Sequence, residues 1–270
     1  MNQSNLTIKD IGKLFDAEEV PPEILALYER DERKSVQTVV LRYRRRKEEL
    51  DRLAKLYKYE DDCRRQGYEL VAGTDEAGRG PLAGPVAAAA VILPPHFMLP
   101  RLNDSKRLSP ATRDKLYEKI KAAAVAYNVV LIEPAEIDRT NILLATQKAM
   151  HDAIIGLNPA PHMVITDAVR LPMLPMPYWP LVRGDNLSAS VAAASILAKV
   201  TRDRIMLEYD KLYPAYGFAK HKGYGTEQHL TALAAKGPCP IHRMTFEPIR
   251  SMLNEENFRL KYTQLGIFRK

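Results

Sequence analysis

What this chain has little of narrows the field before any motif is read. Only two of its 270 residues are cysteine, Cys63 and Cys239, and they form neither a C-x-x-C pair nor a Cys/His cluster. Both a disulfide framework and a structural zinc site are therefore disfavoured. No apolar run approaches the roughly 18 residues a membrane helix needs. The opening Met1-Asn2-Gln3-Ser4 has no basic segment leading into an apolar one, so no signal peptide is read there. Internal repeats and low-complexity tracts are also missing. The expectation is a cytoplasmic protein with no membrane contact, monomeric by default. With 46% hydrophobic and 27% charged residues, the composition is that of a globular chain with one sizeable core and an appended element.

Acidic excess is lacking too: the formal net charge is +7. Residues 1–70 balance 15 basic against 15 acidic side chains, so the remaining 200 residues carry the whole excess. A polyanionic partner for that larger part follows as an expectation.

The first seventy residues read as helices. Thr7 caps one through Phe15, Pro21-Pro22 opens a second ending near Asp31, and Ser35 precedes a long periodic run from Val36 to Gln66. That run contains the basic block Arg42, Arg44, Arg45, Arg46 and Lys47, read either as a solvated face or as a nucleic-acid contact. A break at Gly67 divides a helical N-terminal extension, residues 1–67, from a larger domain, residues 68–270, that ends in a helical segment and is the candidate catalytic part. From Tyr68 the periodicity becomes strand-like, and Gly84 to Leu93 can pair back as a hairpin. Next come a helix capped by Ser109 and running to Ala126, a strand from Asn128 to Ile132, and a helix from about Ala135 to Ile155. A buried strand at Met163 to Thr166 and an Ala-rich helix from Ser188 to about Tyr209 complete the pattern. This alternation predicts an α/β layer fold with a mixed central sheet flanked by helices.

Four carboxylates stand at strand ends or turns: Asp75 and Glu76 before the Gly78-Arg79-Gly80 turn, Asp167 after a short apolar strand, and Asp185 just ahead of the Ala-rich helix. Carboxylates brought together raise each other's pKa unless a cation neutralises them. Oxygen ligands without cysteine or a suitable histidine pair favour Mg²⁺ or Mn²⁺ over Zn²⁺. Two such ions can activate water and stabilise the leaving oxygen at a phosphodiester.

Six ordered segments then resemble the ribonuclease HII family, whose fold is RNase H-like. They are Asp75-Glu76-Ala77-Gly78-Arg79-Gly80 with Pro81 to Val86, Leu102 to Ser109, Ile165-Thr166-Asp167-Ala168, Arg183-Gly184-Asp185 with Ser190 to Asp203, His221-Lys222-Gly223-Tyr224-Gly225-Thr226, and His242 to Pro248. The likeness spans about residues 71–250. Thr166 and Arg183 stand where the family often has Val and Lys; neither departure removes an acid.

The resemblance implies an endoribonuclease that hydrolyses the RNA strand of RNA/DNA hybrids and incises a DNA duplex 5′ of an embedded ribonucleotide, leaving 3′-OH and 5′-phosphate ends. It implies Asp75, Glu76, Asp167 and Asp185 as metal ligands and catalytic groups, with Mg²⁺ or Mn²⁺, two ions at turnover. It further implies Gly78, Arg79 and Gly80 against the phosphates and 2′-OH, and Tyr224 against the neighbouring sugar and base. Lys106, Arg107, Lys199, Arg202, Lys220, Lys222 and Arg243 are candidates by residue type for phosphate contact. The histidines are assigned no catalytic role. Two other readings stay open: a ribonuclease HIII-like hybrid nuclease without single-ribonucleotide preference, and a non-catalytic hybrid-binding module.

Overall fold

A computed structural model of the chain describes residues 6–17 and 19–253. These fall into two compact units, one of the described residues up to Lys55 with Met98–Arg101, the other of Leu56–Phe97 with the described residues from Leu102 onward.

In the smaller unit, Ile8–Phe15 forms α1, Pro22–Glu29 forms α2 and Lys34–Leu56 forms α3. The Thr7 hydroxyl accepts from the Asp10 amide, as an N-cap should. Ile11, Phe15, Val20, Tyr28, Val36, Val40 and Tyr43 make the core, with Phe15 edge-on to both tyrosines. The basic block is partly spent on this packing. Arg44 pairs with Glu29, Lys47 pairs with Glu19 at 3.1 Å, and Arg46 donates to the Phe15 carbonyl at 2.8 Å and to that of Ala17. The last contacts place a cation at the C-terminal end of α1, where the helix dipole favours one.

The larger unit holds α4 (Lys58–Arg65), β1 (Val71–Ala77), β2 (Val86–Ile92), α5 (Pro110–Ala123), β3 (Ala126–Ile132), α6 (Pro134–Arg139) and α7 (Ile142–Ile155). β4 (Met163–Asp167), β5 (Tyr178–Leu181), α8 (Ala189–Leu212), α9 (Phe218–His221), α10 (Glu227–Lys236) and α11 (Ile249–Met252) follow. The sheet order is β3-β2-β1-β4-β5. β2 pairs antiparallel with β1 and β3, whereas β4 is parallel to β1 and β5 to β4, so the sheet is mixed as expected. Helices α8 and α7 cover β2, which is buried along its whole length and reads Val-Ala-Ala-Ala-Ala-Val-Ile. Small side chains let both helices approach the strand closely. At Gly73 on β1, a Cβ would lie 2.2 Å from the Ser190 carbonyl carbon, so α8 begins almost on the strand's backbone.

Several expectations need correction. The predicted run from Val36 to Gln66 is two helices, parted at Tyr57, whose buried hydroxyl donates to the Phe97 carbonyl at 2.8 Å. The helix expected from Ala135 to Ile155 breaks at Thr140, and Asn141 caps the second piece through the Leu144 amide. By backbone contacts the larger compact unit begins at Leu56. Helix α4 belongs to the larger unit because its Glu60 and Cys63 are buried there, Cys63 among Val71, Ile165 and Val191. Of the C-terminal helical segment, α11 is seen, and whatever follows Leu253 lies outside the described residues.

Candidate active site

Three acids meet at the ends of β1 and β4. Asp75 lies on β1 opposite Ala89 of β2, one residue past the last parallel pair, Thr74 with Thr166. Asp167 is the last residue of β4. Asp185 sits in a single 3₁₀ turn, Gly184–Asn186, entered through Arg183 in the left-handed conformation at φ 60°. The Gly184 amide donates to the Asp167 Oδ1 at 2.8 Å, tying that turn to the strand end. One carboxylate oxygen from each of Asp75, Asp167 and Asp185 lies within 4.8 Å of the others.

Glu76, the fourth expected acid, is outside that mutual grouping. It is largely buried, its Oε1 lies 3.4 Å from Arg79 Nη1, and its Oε2 is buried without a hydrogen-bond partner. Burial pushes the Asp75 carboxyl far above the usual aspartate range, with the Glu76 and Asp167 charges adding to the effect. Burial likewise raises Glu76, with Arg79 opposing, and raises Asp185, with Asn186 opposing and Asp104 and Asp167 adding. An all-oxygen donor set, converging like charges and an orphaned buried carboxylate oxygen together suit a hard divalent cation.

Asp104 and Ser105 lie in the Leu102 to Ser109 segment, where the sequence assigns them no role. Asp104 is buried, caps the short 3₁₀ turn Ser105–Arg107 by accepting from the Lys106 amide at 2.9 Å, and bears on Asp185 electrostatically. Ser105 and Ser195 hydroxyls are 2.8 Å apart in the interior, and the Ser195 side chain favours the ionised form of the Asp75 carboxyl. An Asp immediately before a Ser-Lys-Arg turn was the available signal. Glu60 was missed altogether: its Oε1 accepts from the Ser188 hydroxyl at 2.6 Å and the Ser190 amide at 2.8 Å, which fixes the start of α8 three residues after Asp185.

The glycine turn is held from behind. Arg243 is fully buried and donates to the carbonyls of Gly78 (2.6 Å), Arg79 (2.8 Å) and Gly84 (2.8 Å). Arg202, also buried, donates to Pro85 (2.9 Å) and Ala83 (3.1 Å). Both were expected to touch phosphate; both are structural clamps, since a guanidinium taken out of water must satisfy its donors on carbonyls. Gly78 has φ 95°, and a Cβ there would lie 2.0 Å from Arg202 Nε, so only glycine fits. Gly80 faces the Tyr224 ring, 3.7 Å from where its Cβ would stand. The Tyr224 residue is 46% exposed.

Among the cations, Lys106 Nζ lies 4.0 Å from Asp185 Oδ2 and is otherwise exposed, while Lys199 pairs with Asp203 at 2.7 Å. Lys199, Lys220, Lys222, Arg113 and Arg204 line, with Tyr224, a cleft of about 480 Å³. No helix among the described residues is long and apolar enough to cross a membrane.

A mixed five-stranded sheet between helices, with an acidic pocket at its strand ends, defines the class: an α/β protein of RNase H-like fold. A family model described as Ribonuclease HII matches residues 72–249, and another described as Ribonuclease HII N-terminal domain matches residues 7–64. The chain belongs to the ribonuclease HII family, and its activity is that of a ribonuclease H-type phosphodiester hydrolase. It is similar to a ribonuclease HII of Desulfitobacterium hafniense, 49% identical over 255 residues that cover 93% of this chain and 98% of the relative. Among solved structures it resembles the ribonuclease H2 of Pyrococcus horikoshii, with TM-score 0.59, 29% identity, and coverage of 70% of this chain and 98% of that one. Bst-RNase HIII, at 18% identity and TM-score 0.53 over 69% of this chain and 70% of its own, shares the fold alone. Both matches, N-terminal and catalytic, are to the HII type.

Proposed function

We propose that the chain hydrolyses the RNA strand of RNA/DNA hybrids and incises a DNA duplex 5′ of an embedded ribonucleotide. The convergence of Asp75, Asp167 and Asp185 oxygens within 4.8 Å carries this reading. These three, with Glu76 beside them, would hold Mg²⁺ or Mn²⁺, and the bound cations would supply a water of lowered pKa and stabilise the departing oxygen.

The chain's own groups do the rest. In the reaction, water oxygen bonds to phosphorus as the P–O3′ bond breaks; the proton lost by water and the one gained by O3′ balance, giving 3′-OH and 5′-phosphate ends. Asp75 and Asp185, both buried, hold negative charge where it is unfavourable in the absence of a cation, so the pocket is poised for cation binding. The turn at Gly78-Arg79-Gly80, held by Arg243, offers close backbone approach to the scissile phosphate and 2′-OH. Tyr224 lies against Gly80 and packs on the sugar at the junction. Lys106 beside Asp185 and the cationic cleft at Lys199, Lys220 and Lys222 follow the phosphate backbone away from the pocket.

The test compares three duplexes: one with a single embedded ribonucleotide, one fully hybrid and one all-DNA, each with Mg²⁺, with Mn²⁺ and with chelator. Metal-dependent cuts on the first two, with a 5′-phosphate on the ribonucleotide, are expected. Cleavage of the hybrid alone would remove the single-ribonucleotide activity; tight binding without cleavage under any metal would leave the binding-module reading in its place.

A further inference from the structure

Behind Tyr224 lies a buried group of three imidazoles, His221, His229 and His242, which takes no part in the chemistry above. Its hydrogen bonds have one consistent direction. The Tyr224 carbonyl only accepts, so His229, whose Nδ1 is 3.0 Å away, must carry its proton on Nδ1. A neutral His229 then leaves Nε2 as a bare acceptor, and His242 Nε2 at 3.0 Å must donate to it. His242 Nδ1 is thereby an acceptor, and the Cys239 amide donates to it at 2.9 Å. The Cys239 carbonyl, 3.2 Å from the same nitrogen, already accepts from the His242 amide. A backbone donor at one end and a backbone acceptor at the other fix every proton between them. Burial keeps both rings neutral, pushing each imidazole down to about 4. His221 stacks on His229 at 4.4 Å, with Nδ1 accepting from the Gly223 amide and Nε2 donating to the Tyr216 carbonyl.

The segment this relay grips needs holding. Lys222 and Gly223 are both left-handed, at φ 52° and 86°, and a Cβ on Gly223 would lie 2.4 Å from the Ala83 carbonyl oxygen. We propose that His242 and His229 are positioning residues: their relay pins the Tyr224 backbone so that its half-exposed ring meets the junction sugar in one orientation. This rests on the reading of Tyr224 given under the proposed function.

Two measurements on the full chain test it. Imidazole ¹⁵N shifts at neutral pH are expected to show His229 protonated at Nδ1 and His242 at Nε2; the opposite tautomer at either ring overturns the relay, and this requires no variant to fold. The second compares H229N, whose side-chain amide can replace Nδ1 and still donate to Tyr224, with H229Q, whose amide reaches only the His242 side. The readout is the rate on a single embedded ribonucleotide divided by the rate on a continuous hybrid. Losing one such hydrogen bond is expected to lower that ratio about tenfold in H229Q, while H229N stays within about threefold of the parent. In a Y224A background the H229Q change should leave the ratio unaltered. Equal effects of H229N and H229Q, or additive effects of H229Q and Y224A, overturn the proposal, because a merely structural role predicts them. An unchanged ratio in Y224A itself overturns the tyrosine reading and the proposal with it, whereas a changed Y224A ratio with an unchanged H229Q ratio overturns the relay alone.

Discussion

Asp185→Asn and Asp75→Asn separate the chemistry of the pocket from its stability. Each variant is expected to lose cleavage almost completely in a gel assay with Mg²⁺ or Mn²⁺. In chelator, each should melt at a higher temperature than the parent, because both carboxyls have raised pKa values and a neutral amide removes a buried charge that the fold opposes. Unchanged turnover, or a lower melting temperature without metal, would contradict the placement of these acids. Gly78→Ala is expected to lose about 1–3 kcal/mol in denaturant unfolding, since alanine is strained at φ 95° and its methyl meets Arg202. At this scale the sequence spoke through residue type. Three of the four expected acids converge while Glu76 lies outside their grouping, and Arg202 and Arg243, candidates for phosphate by type, are buried against carbonyls. A buried guanidinium bonded to carbonyls and a surface one waiting for an anion look the same in a string of letters; only burial tells them apart.

Helices and strands were legible wherever a cap or an unbroken period marked them. Thr7, Ser109 and Ser188 all cap the helices expected of them, and the β1–β2 hairpin pairs as the two apolar runs suggested. β5 was not foreseen, because Tyr178-Trp179-Pro180-Leu181 is short, contains proline and sits at an edge. The long-range tie from α4 to α8 was equally invisible, since 128 residues separate Glu60 from Ser188. Glu60→Ala would leave the Ser188 hydroxyl and Ser190 amide buried without their acceptor, and a loss of about 1–3 kcal/mol is expected by chemical denaturation. A change below about 0.5 kcal/mol would mean that water replaces the carboxylate there.

Two expectations belong to the molecule as a whole. His229 and His242 titrate near 6.5 when unfolded and at about 4 when folded, so the unfolded chain binds more protons between those values. The contribution of this pair is therefore full above about pH 6.5 and declines as pH falls towards 4, by up to about 1.4 kcal/mol per pH unit for each ring, while the raised carboxyls of Asp75, Glu76 and Asp185 act in the opposite sense. Denaturation midpoints of the parent and of a His229→Asn, His242→Asn variant across that window isolate it, and parallel profiles from pH 7 to 4.5 would contradict the buried neutral pair. The second expectation concerns the positive charge excess of residues 71–270. Lys220→Glu, in the cationic cleft, should weaken duplex binding whatever its sequence and reduce the slope of log affinity against log salt by about 1. An unaltered slope would place the duplex elsewhere.

Arg243 and Arg202 leave one more mark on how a polyanion is received. The carbonyl oxygens of Gly78, Arg79, Ala83, Gly84 and Pro85 are all engaged by guanidinium groups in the interior. Electron-rich atoms that would repel an incoming phosphodiester are thus turned inward and quenched before any collision occurs. On the reading proposed above, the backbone face offered to a phosphodiester is settled by these internal hydrogen bonds before binding rather than by it.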